Sequence, residues 1–331
     1  MTTIQEVLFE LVTDYFGHPF YVSGHALYTA IVRRLDNDCD VARHLCVSNG
    51  MFVPGEYGKI HGSGGSLYTT SLEPVESYDD LFRFRDPAQR WLLDSRPRDA
   101  HNILDIHSHG GRLTYAPRCR FGQPAESYYT KRTVTWYVHC YVHTDGRGGD
   151  GGLPLADETL DGLRVGGGRN YGLGELRLAD TQSIDLEALD YSRLKTCDVS
   201  GDGDQCDIEL VAPYVLRSQH PGADSQSVPW WWEPPHELRR RTERLVVGED
   251  VFEVETIDHG QCVAFAGDNP VSTAKNGVLR VGSHSKYGFG ELRIRPAGDD
   301  RVTWSDAPET VADSSNRPAD AKGAEVSETA R

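Results

Sequence analysis

Residues 163–178 read LRVGGGRNYGLGELRL and residues 279–294 read LRVGSHSKYGFGELRI, and the two stretches align without a gap. Leu163, Arg164, Val165, Gly166, Tyr171, Gly172, Gly174, Glu175, Leu176 and Arg177 recur as Leu279, Arg280, Val281, Gly282, Tyr287, Gly288, Gly290, Glu291, Leu292 and Arg293. A gapless repeat over that span implies that one supersecondary unit occurs twice and that each copy ends in this segment. Within it runs a loop pattern, GGGRNYGLG and then GSHSKYGFG, in which glycine permits positive φ and lets the backbone approach a ligand closely, so that main-chain N–H groups can face a phosphate chain. Neither loop fits the dinucleotide fingerprint, because the segments that follow, ELRLAD and ELRIRP, read as strands rather than helices.

Outward from the repeat, the chain reads as mixed strands and helices. In the first unit EVLFELVT (6–13) alternates like a strand, GHALYTAIVRRL (24–35) has helical spacing, DVARHL (40–45) is a second short helical stretch, and GKIHGSGGS (58–66) is a loop. TVTWYVHCYVH (133–143) is a strand that sets Tyr137, His139, Tyr141 and His143 on one side and Trp136, Val138, Cys140 and Val142 on the other. The second set reads as core; the first is either an aromatic platform on which bases stack or a half-buried face under a helix. The second unit opens with a strand at CDIELVAPYVLR (206–217) and passes the Pro/Trp-rich stretch PWWWEPP (229–235), which reads as a packing plug or a stacking site. It continues with a short helix near ELRRRTERL (237–245) and strands at VFEVETI (251–257) and QCVAFAG (261–267). The expectation is an α+β protein of two tandem ferredoxin-like, RRM-like modules, residues 1–182 and 183–297, followed by a disordered acidic tail, 298–331.

Composition narrows the function classes. The 331 residues carry 50 Asp plus Glu against 34 Lys plus Arg, a net charge of −16, and Arg far outnumbers Lys. That is not a simple basic nucleic-acid binder; it is the carboxylate-rich, Lys-poor composition of a cytoplasmic protein from a salt-loving organism. Seven scattered cysteines with no C-x-x-C pair favour reduced thiols over a disulfide framework or a structural zinc site. The start of the chain lacks a signal-peptide pattern and no apolar run reaches about 18 residues, so the reading is a soluble cytoplasmic protein with no membrane partner and no cofactor.

The glycine-rich loop before a terminal strand resembles the signature of the CRISPR-associated RAMP superfamily, over both units. The stretch RLTYAPRCRFGQPAESYYTKRTVTWYVHCYVH (112–143) and the opening CDIELVAPYVLR are similar to segments of its two-module effector subunits. The resemblance implies RRM-like ferredoxin folds and a non-enzymatic subunit that binds guide (CRISPR) RNA beside other effector subunits. The contacts would come from Gly166, Gly168, Gly172, Gly174, Gly282, Gly288 and Gly290, with Arg164, Arg169, Arg280 and Lys286 beside them and Tyr137 and Tyr141 on the strand. A second resemblance covers GHALYTAIVRRLDNDCDVARHLCVSNG (24–50), which is similar to the first helical hairpin of CRISPR repeat-cleaving endoribonucleases. Those enzymes use a general base on the 2′-OH and an acid on the leaving oxygen, without metal. Their helical tyrosine falls on Tyr28 and their catalytic histidine on Cys46, with His44 and His25 as nearby substitutes. A third alternative is a metal-dependent hydrolase, since Asp105, His107 and His109 in LDIHSHGG form a D-x-H-x-H pattern.

Overall fold

The computed structural model describes residues 2–17, 21–35, 39–54, 71–85, 113–115, 118–120, 133–145, 153–195, 197, 205–221, 223–234, 236–247 and 250–297. The expected loop at 58–66, the Asp105, His107 and His109 pattern and the expected tail from 298 lie outside these residues. The protein is mixed α and β, with mostly antiparallel sheets and few helices.

The first half runs β1 (Thr3–Leu11), β2 (Tyr15–Phe16), β3 (Tyr21–Val22), α1 (Gly24–Val32), α2 (Cys39–His44), β4 (Leu45–Val47), β5 (Gly50–Pro54), β6 (Leu113–Tyr115), β7 (Arg118–Arg120), β8 (Thr133–Thr144), α3 (Asp157–Leu160), β9 (Leu163–Arg164) and β10 (Glu175–Asp185). Its main sheet has the order β3-β5-β8-β1-β10-β9, with β4 and β7 also pairing with β8. α4 (Ser192–Lys195) leads into the second half, which is β11 (Cys206–Leu210), β12 (Tyr214–Ser218), β13 (Trp232–Glu233), β14 (Arg240–Val247), β15 (Asp250–Ile257), β16 (Cys262–Phe265), α5 (Pro270–Val278) and β17 (Leu292–Pro296). Here the sheets are β13-β16-β11-β17 and β12-β15-β14. The strands β10-β1-β8-β5 of the first half and β17-β11-β16-β13 of the second stand in the same order when counted along the chain: fourth, first, third, second.

β1 shows why the sheet has no free face. Its odd positions, Val7, Phe9 and Leu11, pack with Trp136, Val138, Cys140 and Val142 of β8 and with Leu27 and Ile31 of α1. α1 starts where the Ser23 Oγ accepts from the Ala26 N–H, and its apolar residues one turn apart close over that core. Each such buried Leu or Ile is worth roughly 1.5–3 kcal/mol. The even positions are buried as well. Ile4 packs with Tyr141, Leu81, Phe82 and apolar residues of the second half, including Ile208 and Leu292, while Leu8 packs with Tyr137 and Phe84.

Three expectations change. The helix near 237–245 is the strand β14, which pairs antiparallel with β15 from Arg240↔Ile257 to Val247↔Asp250. Its Arg-rich stretch offers too little apolar surface for a helix, whereas pairing lets Leu245 join Val215 and Val254 in a small core. The single strand expected over 206–217 is two, because the Val211 and Ala212 N–H groups both donate to the Glu291 carbonyl and Pro213 redirects the chain to a second sheet. The thiols are not all reduced: Cys197, after α4, and Cys206, opening β11, stand 5.8 Å apart at Cα and are disulfide-bonded.

Candidate nucleic-acid interface

The two glycine-rich loops are the same object in backbone terms. Each follows a helix, α3 or α5, and enters a terminal strand, β10 or β17. Positive φ occurs at Gly166, Gly168, Gly172 and Gly174 (78°, 68°, 84° and 70°) and at the matching Gly282, His284, Gly288 and Gly290 (89°, 61°, 91° and 77°). The Val165 N–H donates to the Gly174 carbonyl and the Val281 N–H to that of Gly290, both at 2.9 Å. The Gly174 N–H is tied to the Asp14 carbonyl and the Gly290 N–H to the Pro213 carbonyl, both at 2.8 Å. Asp14 and Pro213 each lie three residues past the strand that opens their half, so the loops occupy equivalent sites in the two halves.

Their surroundings differ. The second loop is packed against the first half. The Tyr287 ring meets Tyr28 at 5.3 Å and His25 at 4.9 Å. Lys286 Nζ donates to the Arg43 carbonyl at 2.8 Å and the Ala42 carbonyl at 3.3 Å, at the C-terminus of α2, and lies 4.6 Å over the Tyr28 ring. Arg280 is buried, with its guanidinium 2.8 Å from His143 Nδ1 and donating to the Ser285 carbonyl. Glu291 binds the buried Arg85 through two 2.5 Å contacts, and Arg85 also donates to the Asn49 carbonyl at 3.0 Å. Of the residues expected to face RNA, Gly288, Arg280 and Lys286 contact the first half, at Asn49, His143 and the end of α2; Gly290 is buried against Val281 within the second half, and Gly282 is exposed beside Gln226 and Tyr214.

The first loop is open. Tyr171 is 89% exposed, and a Cβ at Gly172 would meet nothing within 4 Å. Arg164 pairs with Glu175 at 3.2 Å across β9 and β10, so its charge is partly answered within the loop. The inner side of this loop brings Arg169 close enough to His25 to act on its charge.

His25 is one of three imidazoles that come from three elements and group around Tyr287 and His284. His25 lies in the first turn of α1, His220 follows β12, and His284 lies in the second loop. The rings of His220 and His284 are 5.4 Å apart, those of His284 and Tyr287 6.1 Å apart, and His284 Nε2 is 2.8 Å from Ser218 Oγ. Burial pushes His25 down to about 4, aided by the charges of His220, Arg169 and His284; burial and His220 also lower His284. No carboxylate figures among the charges acting on His25 or His284. Among the described residues, the side chains of His25 and His220 make no hydrogen bond. Sequence reasoning missed His220 and His284. The signal for His284 was present, since it stands opposite Gly168 in the repeat and keeps positive φ there without being glycine. His220 carried no such signal.

The other candidates are internally engaged. Tyr137 and Tyr141 are buried, so the expected stacking platform is covered: Phe84 lies 5.1 Å from His139, and the Tyr141 hydroxyl donates to the Leu81 carbonyl at 2.7 Å. His139 Nε2 is 2.7 Å from Glu6 Oε1 on the same face, which explains how a polar strand face sits inside. The Tyr28 hydroxyl donates to the Ala42 carbonyl at 2.9 Å, and His44 Nδ1 stands 2.9 Å from Asp145 Oδ1. Cys46 is buried, and burial raises its thiol, which unfits it for proton transfer at neutral pH.

Among the described residues no group of His, Cys, Asp and Glu side chains is placed to hold a metal ion, and no helix is long and apolar enough to cross a membrane. No family model and no curated protein matches the chain. Among solved structures the chain is similar to a Cas6 product complex, with a TM-score of 0.33 and 12% identity over 89% of this chain and 100% of that one. A likeness that distant assigns no roles to residues.

Proposed function

We propose that this chain is a CRISPR-associated RNA-binding protein of the RAMP type, with two tandem ferredoxin-like modules, that holds guide RNA without cleaving it and works in a cytoplasm beside other effector subunits. Support for the modules comes from the shared strand order and the equivalent glycine-rich loops. The observation that carries the RNA reading is the grouping of His25 and His284 with Tyr287 and His220, with Arg169 and no carboxylate among the charges acting on His25, in a chain of net charge −16. A half-buried group of this kind in an acidic protein favours an anion there, and a phosphate held at Arg169, on the side of the first loop towards His25, fits it.

The test is fluorescence anisotropy with a labelled single-stranded CRISPR-repeat RNA. Arg169→Ala and His220→Ala are each expected to weaken binding by about tenfold, the scale of one charge-assisted contact. Wild-type affinity in both variants, or no RNA binding by the wild type, would falsify the reading.

A second reading, metal-independent RNA cleavage, is favoured by one observation: His25 is an imidazole without a hydrogen-bond partner and is neutral well below pH 7, as a general base for a 2′-OH must be. It predicts a 2′,3′-cyclic phosphate product in metal-free buffer that is lost in His25→Ala and retained in His44→Ala. Intact RNA after prolonged incubation with the wild type leaves the binding reading alone.

A further inference from the structure

The second glycine-rich loop shows what this motif does as a protein contact. Its Tyr287 carbonyl lies against Gly24, where a Cβ would come within 2.5 Å of that oxygen, and its ring packs on Tyr28, four residues along α1. Gly288 lies against Asn49, whose Oδ1 accepts from the Gly24 N–H at 2.7 Å. The socket is thus a helix that opens on glycine, an aromatic residue one turn later, and an asparagine that closes the helix start. Only glycine at the first position leaves room for the incoming carbonyl.

The first loop has the same positive-φ positions, the same tyrosine at the same place, and no socket among the described residues. Tyr171 is 89% exposed and the space around Gly172 is empty. A second copy of this chain offers no vacancy: the socket on α1 is filled by its own Tyr287, and among the described residues no helix stands between β11 and β13, where α1 stands between β1 and β5 in the first half. We infer that the first glycine-rich loop is a protein-docking tip that inserts Tyr171 into a socket of this kind, a glycine-initiated helix with an aromatic residue four positions on, carried by a different protein. The inference is independent of the RNA reading, which uses the inner side of the loop.

The experiment replaces Tyr171 with the photo-crosslinking analogue p-benzoylphenylalanine in the full chain, expressed in its native cells, with the analogue at Arg177 as the surface control. Adducts specific to position 171 are digested and sequenced. The expected result is a peptide of another protein that contains a glycine followed four residues later by an aromatic residue, with light scattering showing the free chain to be a monomer. Adducts confined to RNA, adducts to a second copy of this chain, peptides without that pattern, or no specific adduct would each overturn the inference. Tyr171→Ala should leave RNA affinity within about twofold of wild type, so a failed RNA reading and a failed docking reading give different results.

Discussion

Gly172 and Gly288 hold the same place in the repeat, with φ of 84° and 91°, yet alanine at the two positions should have different effects. For either residue the left-handed conformation costs alanine about 1–2 kcal/mol, offset by about 0.4–1 kcal/mol from the stiffer unfolded chain. At Gly172 that is all, because the new Cβ meets nothing within 4 Å. At Gly288 the Cβ would lie 2.6 Å from Asn49 Oδ1 and 2.8 Å from Asn49 N, so Asn49 must move. That adds overpacking of about 1–3 kcal/mol. It also breaks the bond from the Gly24 N–H to Asn49 Oδ1, another ~1–3 kcal/mol for a buried donor left unpaired. Urea unfolding should therefore show Gly172→Ala within about 1 kcal/mol of wild type and Gly288→Ala about 3–6 kcal/mol below it. Gly174→Ala and Gly290→Ala form the control: in each a Cβ would stand 1.9 Å from the carbonyl of Val165 or Val281, so both should be severe and similar. Equal losses at 172 and 288 would show that the second loop is not seated on the first half, and the division of labour between the loops would fall.

Arg85→Ala should cost about 3–5 kcal/mol in urea unfolding, since it leaves the Glu291 carboxylate buried without its bidentate partner; a loss under 1 kcal/mol would place that pair in solvent. The lowered His25 and His284 make the folded state bind fewer protons than the unfolded one below the usual imidazole value of about 6.5, so stability should fall as pH drops from about 6.5 towards 4. His25→Asn should flatten that part of the melting-temperature profile, and an unchanged profile would remove His25 from the account. RNA affinity should rise over the same fall in pH, with proton uptake in calorimetry, because phosphate supplies the missing counter-charge. At pH 7.5, with Arg169 as the permanent charge acting on His25, log K against log salt should slope at about −0.7, steepening towards roughly −2 as His25 and His284 protonate; a slope near −5 at pH 7.5 would place the RNA on another surface.

The duplicated segment was legible because glycine-dependent backbone geometry is local: the spacings of Gly166, Gly172 and Gly174 dictate positive φ wherever they occur, and the strands after them form as expected. The alternation of β8 was legible for the same reason. What a strand alternation does not tell is whether the second face meets water or another layer. His139 and Tyr141 read either as a base-stacking platform or as a half-buried face, and they are inside because Glu6 meets His139 and the Tyr141 hydroxyl donates to the Leu81 carbonyl. β14 was misread because its register is imposed by β15 and not by its own apolar spacing. The histidine group was hidden because its members come from residues 25, 220 and 284: His220 and His284 meet within the second half, and His25 joins them where the second loop packs on α1.

The duplication also shows how one motif takes two roles: the glycine-rich loop keeps its backbone, while Arg280 takes a φ of 67° that its counterpart Arg164, in β9, does not. In the first copy Arg164 and Glu175 face each other on the surface, so the loop is closed electrostatically and its tip is left free. In the second copy the equivalent pair is split: Arg280 turns to His143 and Glu291 to Arg85, and both are buried. Splitting the pair ties Arg280 to His143 and Glu291 to Arg85 of the first half, and the same loop lays Tyr287 against His25. On the proposed RNA-binding reading, the net charge of −16 makes the salt concentration decisive. At 0.1 M salt a Debye length of about 10 Å lets carboxylates well outside the cluster repel phosphate; at 1 M it is about 3 Å, and only groups in near contact count. On the proposed reading, Arg169 beside His25 and His284, on which no carboxylate acts, then orients the phosphate.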